Sequence, residues 1–171
     1  GNPTWSFLWS RLINEMSNEY RIIAPDHLSM GYSDQVGTRR YRDRVLDVHD
    51  FVSALGIKGP IWLVAQDWGG AIAMGYAVDH PDRVAGLVLS NTGIAVPTGR
   101  QAPRLIQISA SGGLHQIITR HSSLFVRGTA FLPGAGLTRL QRRGLVAPYV
   151  NRQQRDGIAA FVADVPFNDK H

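Results

Sequence analysis

Cysteine is absent from the 171-residue chain, which excludes disulfide bridges and thiolate metal sites and is compatible with the cytoplasm. No window approaches the roughly 18 to 20 apolar residues of a membrane span, and the N-terminus carries no charged-then-apolar leader pattern. Lysine is scarce: all but two of the eighteen basic residues are arginines, and nine of those lie between Arg100 and Arg155. They are scattered, without a basic stripe interleaved with aromatics and without a recognition-helix pattern. The net charge of +5 therefore reads as a solvated arginine-rich face and not as a nucleic-acid surface. Acidic residues are missing altogether from Arg83 to Arg155. What remains is 44% apolar and free of low-complexity segments, enough for one domain with a real core.

The chain is organised around Ile61 to Gly70, where an apolar strand ends abruptly in one acid between small residues. The β-branched and large apolar residues after Gly59-Pro60 predict a buried strand, and Ala71 to Val78 predicts a helix after a sharp turn at Gly69-Gly70. A turn tight enough to lift one side chain above the sheet requires small residues two before and two after it, and Ala65 and Gly69 satisfy that condition. A carboxylate at the tip sits over a helix N-terminus, whose positive end and free N–H groups favour an anion. Asp67 is accordingly expected to stay ionised and face a cavity. An ordinary helix-capping aspartate is the alternative that this stretch alone leaves open.

Before this stretch, Trp5 to Met16 has helical spacing, Arg21 to Ala24 reads as a short strand, and His27 to Asp34 as a loop. Arg40 to Leu55 places Val45, Val48, Phe51, Val52 and Leu55 on one helical face, closed by Gly56. After it, His80-Pro81 ends the helix and Val84 to Leu89 forms the next strand. Repeated strand–helix units imply an α/β fold with a mostly parallel sheet buried on both faces, and function at the strands' C-terminal ends. From Ile94 the pattern turns helical, over Pro103–Ala110, Leu114–Phe125, Leu137–Val146 and Gln154–Val162, with no clear strand. The expected division is a partial α/β core over residues 1–93 and a helical cap or lid over 94–171, with a plain helical continuation of the core as the alternative.

These pieces resemble the α/β-hydrolase superfamily, and within it the haloalkane dehalogenase group, whose nucleophile is an aspartate. Gly1-Asn2-Pro3-Thr4 resembles that group's oxyanion loop, Pro25-Asp26 to Ser33-Asp34 its Asp-x-x-Gly-x-Gly-x-Ser loop with Ser29 in place of the first Gly, and Gln66-Asp67-Trp68-Gly69-Gly70 its nucleophile elbow. Ala65 replaces the more frequent Gly there. The resemblance implies Asp67 as nucleophile, with the indole N–H of Trp68 and the side-chain amide of Asn2 stabilising the leaving group, and the backbone N–H groups of the same two residues forming an oxyanion hole. Chemically this is consistent: a carboxylate is ionised at neutral pH without a base, and it can displace a leaving group at saturated carbon to give an alkyl ester. Neither metal nor cofactor is needed for that step.

Hydrolysis of the ester needs a histidine base and an acid that orients it. His27, His49, His80, His115, His121 and His171 all fall in places unlike that of the superfamily's base, which follows its last strand. The acid-free span excludes the arrangement in which the acid follows the strand ending near Asn91. The sequence thus reads as an internal fragment holding the nucleophile, part of the oxyanion site and the cap. Ala147-Pro148-Tyr149 and Phe161 to Pro166 are similar to the lid of the β-lactone decarboxylases of bacterial olefin synthesis, which share the Asp and the Asn/Trp pair. The expected partner is a small apolar substrate, an alkyl halide or a β-lactone. Epoxide hydrolases, whose lid tyrosines only Tyr149 could match, and a non-catalytic binding module rank behind these.

Overall fold

The computed structural model describes residues 1–93, 117–131 and 136–165. The chain forms two compact units, one of Gly1–Asn2, Thr38–Ala110 and Ala160–His171, the other of Pro3–Gly37 and Ser111–Ala159. The expected helix over Pro103–Ala110, the start of the one over Leu114–Phe125, and His115, Pro166 and His171 lie outside the described residues.

The first unit holds the strands. Helix α2 (Tyr41–Ala54) stops at Gly56, whose φ of 64° lets the chain reverse into β1 (Ile61–Gln66). Helix α3 (Trp68–Asp79) ends as predicted at His80-Pro81, and β2 (Val84–Ser90) pairs with β1 in parallel, Trp62 opposite Gly86 and Gln66 opposite Ser90. Helices α2 and α3 bury Val45, Val52, Ile72, Ala73 and Tyr76 between them and the sheet, and the Tyr41 hydroxyl donates to the Ala71 carbonyl at 3.1 Å. Among the described residues Trp62, Val64 and Val88 share one side of the sheet and are exposed, and on the other side Leu87 and Leu89 are partly open as well.

The second unit carries a 3-10 turn, Ser6–Trp9, running into α1 (Ser10–Met16), followed by a loop and, later, α4 (Leu124–Phe131) and α5 (Arg139–Val146). A last helix, α6 (Asp156–Ala163), divides between the units after Ala159. No strand forms over residues 21–24, because among the described residues no neighbouring strand offers them a hydrogen-bond ladder. Met30, Val126, Leu145, Tyr149 and Ile158 are buried here. Thr138 and Gln141 cap α5 reciprocally, Gln141 N–H donating to Thr138 Oγ at 3.2 Å and Thr138 N–H to Gln141 Oε1 at 2.8 Å. The loop after residue 24 is held by Asp26, which accepts from the N–H groups of Ser6 at 2.6 Å and Tyr32 at 2.9 Å, and by the Tyr149 hydroxyl, which accepts from Gly31 N–H at 3.1 Å. Burial pushes that phenol well above its ordinary pKa. No described helix is long and apolar enough to cross a membrane.

Candidate active site

The ladder between β1 and β2 runs one residue past the strand: Asp67 N–H donates to the Ser90 carbonyl at 3.3 Å. There the backbone turns sharply, with Asp67 at φ 54° and ψ −128°, and α3 begins at the next residue. A non-glycine residue in the left-handed half of φ costs on the order of 1–3 kcal/mol and persists only when its neighbours impose it. Two groups do so. The Asp67 carbonyl accepts from Gly70 N–H at 2.9 Å and from the Thr92 hydroxyl at 2.7 Å.

This geometry differs from that of an ordinary helix cap. A capping aspartate has extended backbone and binds an N–H two or three residues on, whereas Asp67 has neither and makes no side-chain cap bond to α3. Its carboxylate instead takes the N–H of Asn2, 65 residues away in sequence, on Oδ2 at 2.7 Å. A side chain at position 1 would collide with Asp67, so Gly1 lets the Asn2 backbone come this close. Trp68 starts α3, and its ring lies 5.3 Å from that of Phe161, tilted by 54°. The structure thus brings Asn2 to Asp67 through the backbone and sets the Trp68 indole against Phe161.

Ala65 and Gly69 are the small residues on either side of Asp67, and they meet different surroundings. Ala65 is buried, but a Cβ at Gly69 would meet no heavy atom within 4 Å among the described residues. The crowded position is Gly70, where a Cβ would run into Thr92. Tight packing between α3 and the loop after β2 falls at Gly70, three residues past Asp67.

Residues 1–164 match the α/β hydrolase fold family. The chain belongs to that family. Across 98% of its length this hydrolase-fold chain is similar to the cis-3-alkyl-4-alkyloxetan-2-one decarboxylase of Xanthomonas campestris pv. campestris, at 35% identity and over 60% of that protein. Haloalkane dehalogenase 2 of Mycobacterium bovis is 40% identical over 54% of the chain and 32% of its own length. The crystal structure of an ancestral haloalkane dehalogenase superposes with a TM-score of 0.85 at 28% identity, covering 98% of the chain and 61% of that structure. The chain spans 60% or less of the length of these curated relatives.

Within the unit that carries the elbow, the described histidines of this hydrolase-fold chain are His49 and His80. They stack on each other with ring centroids 4.5 Å apart, at the far end of α3 from Asp67. His27 and His121 belong to the other unit. Among the described residues no cluster of metal-binding side chains occurs. Thr92, Gly70 and Phe161 are parts of the elbow's surroundings that the sequence does not single out in that role. Thr92 is findable, as the second residue after β2 at the C-terminal end of the sheet. Phe161 has no local signal connecting it to Trp68.

Proposed function

We propose that Asp67 is a nucleophile that forms a covalent ester with a small apolar substrate, and that the favoured substrate is a β-lactone of the cis-3-alkyl-4-alkyloxetan-2-one class. The observation that carries the first part is the forced left-handed backbone of Asp67 at the end of β1, with its carboxylate turned to the Asn2 N–H instead of capping α3. Strain at a strand–helix turn, spent on presenting one ionisable side chain, suits a nucleophile. The N–H on Oδ2 is placed to hold that oxygen as an ester carbonyl, leaving Oδ1 to attack. Trp68 and the Asn2 side chain serve as donors to the leaving group, and residues 94–171 as the cap.

Support for the lactone comes from extent. The decarboxylase relative aligns with 98% of the chain, whereas the dehalogenase relative aligns with 54%. Attack of Asp67 on C4 of the ring breaks the C4–O bond and frees the ring carboxylate. The C3–carboxylate bond then breaks, and its electron pair forms the alkene as the Asp67 oxygen departs. Carbon dioxide and an alkene leave, and the carboxylate returns without water or a base. With an alkyl halide, the second reading favoured by the 40% identical relative, the halide takes the electron pair and the ester must then be hydrolysed. Without a general base that step loses about 100-fold to 10,000-fold in rate.

The test offers the purified chain 1,2-dibromoethane and, separately, a cis-3,4-dialkyloxetan-2-one. Intact-mass spectrometry should find one stable bromoethyl adduct on Asp67, and gas chromatography should find alkene made over many turnovers. Alkene formation without a halide adduct selects the lactone reading alone. A halide adduct without alkene selects the dehalogenase reading. Neither product, from folded protein, leaves a binding module.

A further inference from the structure

Among the described residues two arginines are buried, and they are treated differently. Arg155 spends its guanidinium on backbone carbonyls, donating to Arg120 at 3.0 Å, Tyr149 at 3.0 Å and Val150 at 3.1 Å. Arg44, in the first turn of α2, is 1% exposed, and its three guanidinium nitrogens make no hydrogen bond among the described residues. It faces an aromatic ring: the guanidinium carbon lies 3.5 Å from the centre of the Phe161 ring. That ring also packs against the Trp68 indole.

An arginine held this way has lost its hydration and gained a ring and the charges of nearby carboxylates, Asp164 and Asp47 foremost. Burial pulls its pKa down to about 10 against those two carboxylates. A well-packed apolar side chain of the same volume serves stability as well or better. The neighbouring anchor is built with care all the same. Asp164, just after α6, accepts the Tyr41 N–H at 2.6 Å, tying the end of α6 to the first turn of α2 and fixing Phe161 over Arg44. Three planar groups are thereby fixed in series, Arg44 on Phe161 and Phe161 on Trp68, and the last is the residue immediately after Asp67.

We propose, on the footing of the ester chemistry above, that Arg44 is a positioning residue: it clamps the Phe161 ring by a cation–π contact, and through that ring sets the orientation of the Trp68 indole toward the leaving group. An interaction that steers a leaving-group donor acts in the transition state, so its loss lowers the rate of ester formation at saturation and leaves substrate binding alone.

The test uses Arg44→Met, which keeps volume and removes charge, Arg44→Lys, which keeps charge, and Phe161→Leu, which removes the ring. The chain's four tryptophans are labelled as 5-fluorotryptophan and the Trp68 fluorine resonance is assigned by Trp68→Phe. In Arg44→Met the Trp68 resonance should shift, and the single-turnover rate of ester formation from 1,2-dibromoethane at saturation should fall about tenfold to 100-fold, as expected for slight misplacement of a catalytic group. The half-saturating concentration should not change. Arg44→Lys should restore most of both signals. Phe161→Leu should reproduce the loss, and the double variant should lose no more than either alone. Unchanged rates in folded Arg44→Met, or additive losses in the double variant, overturn the clamp. If Arg44→Met does not fold, Phe161→Leu and Arg44→Lys decide the same question. Should the wild-type chain form no ester at all, the ester chemistry fails separately, and the clamp then stands or falls on whether the Trp68 resonance responds to Arg44→Met.

Discussion

Ser29 and Asp67 each hold a non-glycine residue at positive φ, 64° and 54°, and the two turns use their side chains in opposite ways. Ser29 is buried and spends its hydroxyl on its own loop, donating to the Val36 carbonyl at 3.1 Å and accepting the Val36 N–H at 3.0 Å. Its strain is stabilised by the very side chain that suffers it. Asp67 contributes nothing from its side chain to its own turn, which is held by Ser90, Gly70 and Thr92 through the backbone. The carboxylate is thereby released for the Asn2 N–H. Strain alone marks neither a site nor a scaffold. The partner of the strained residue's side chain tells them apart.

The comparison is broken most severely at Asp67 itself. Asp67→Asn keeps the size and the backbone but replaces an anion by a neutral amide, so adduct formation with 1,2-dibromoethane should fall to the level of buffer. The measurement is intact mass after incubation, with urea unfolding as a control that the variant folds. An adduct of undiminished yield at another residue would remove Asp67 from the chemistry.

Next in size is the packing behind the elbow. Gly70→Ala forces a methyl group into Thr92, whose hydroxyl holds the Asp67 carbonyl, and overpacking of this kind costs about 1–3 kcal/mol. Gly69→Ala, one residue earlier on α3, meets open space among the described residues and replaces a poor helix former, so it should be neutral or stabilise by up to about 1 kcal/mol. Urea midpoints of the two variants should therefore move apart. Equal destabilisation would restore Gly69 as the residue the turn requires.

That pair also shows what the sequence made legible. The strand, the helix, the acid between them and the parallel partner strand were readable because each has a local pattern: β-branched runs, helical spacing, small residues and a Pro stop. The residue motif at Ser29 was readable as a glycine position, and its φ of 64° supplies the reason a glycine suits it. Contacts across the fold were not readable. Nothing local in Phe161 predicts Trp68, and an arginine is expected in solvent, although Arg44, Val48 and Val52 share one helical stripe and so hinted that Arg44 turns inward. The strand over residues 21–24 was misread because extended, apolar sequence does not disclose whether a partner strand is there to bond it.

Substituting glycine at Asp67 and at Ser29 has effects of different size. Asp67→Gly relieves about 1–3 kcal/mol of strain but leaves the part-buried Asn2 N–H without its charged partner, a loss of similar size, so folding stability should change by less than about 1 kcal/mol while ester formation disappears. Ser29→Gly relieves the same kind of strain but leaves the part-buried Val36 N–H and carbonyl without their partner, a loss of about 1–3 kcal/mol that exceeds the roughly 1 kcal/mol regained. Denaturant midpoints at fixed pH measure both. Stabilisation by Ser29→Gly would mean that its hydroxyl does not support the loop and that the contrast between the two turns is one of location only.

The smallest effect is expected at Thr92, where one hydroxyl connects the loop after β2 to the elbow. Thr92→Val keeps the shape and removes the 2.7 Å bond to the Asp67 carbonyl, but that carbonyl keeps the Gly70 N–H, so the cost in stability is that of one neutral hydrogen bond, about 1 kcal/mol. Activity should fall with it, by less than the effect of Gly70→Ala, because the elbow loosens without being pushed. Thr92→Ser retains the hydroxyl and should restore the rate of ester formation even where the lost methyl lowers the denaturant midpoint slightly. If Thr92→Ser and Thr92→Val lose the same activity, the methyl packed near Gly70 matters more than the hydrogen bond, and the turn at Asp67 is held by shape and not by its carbonyl.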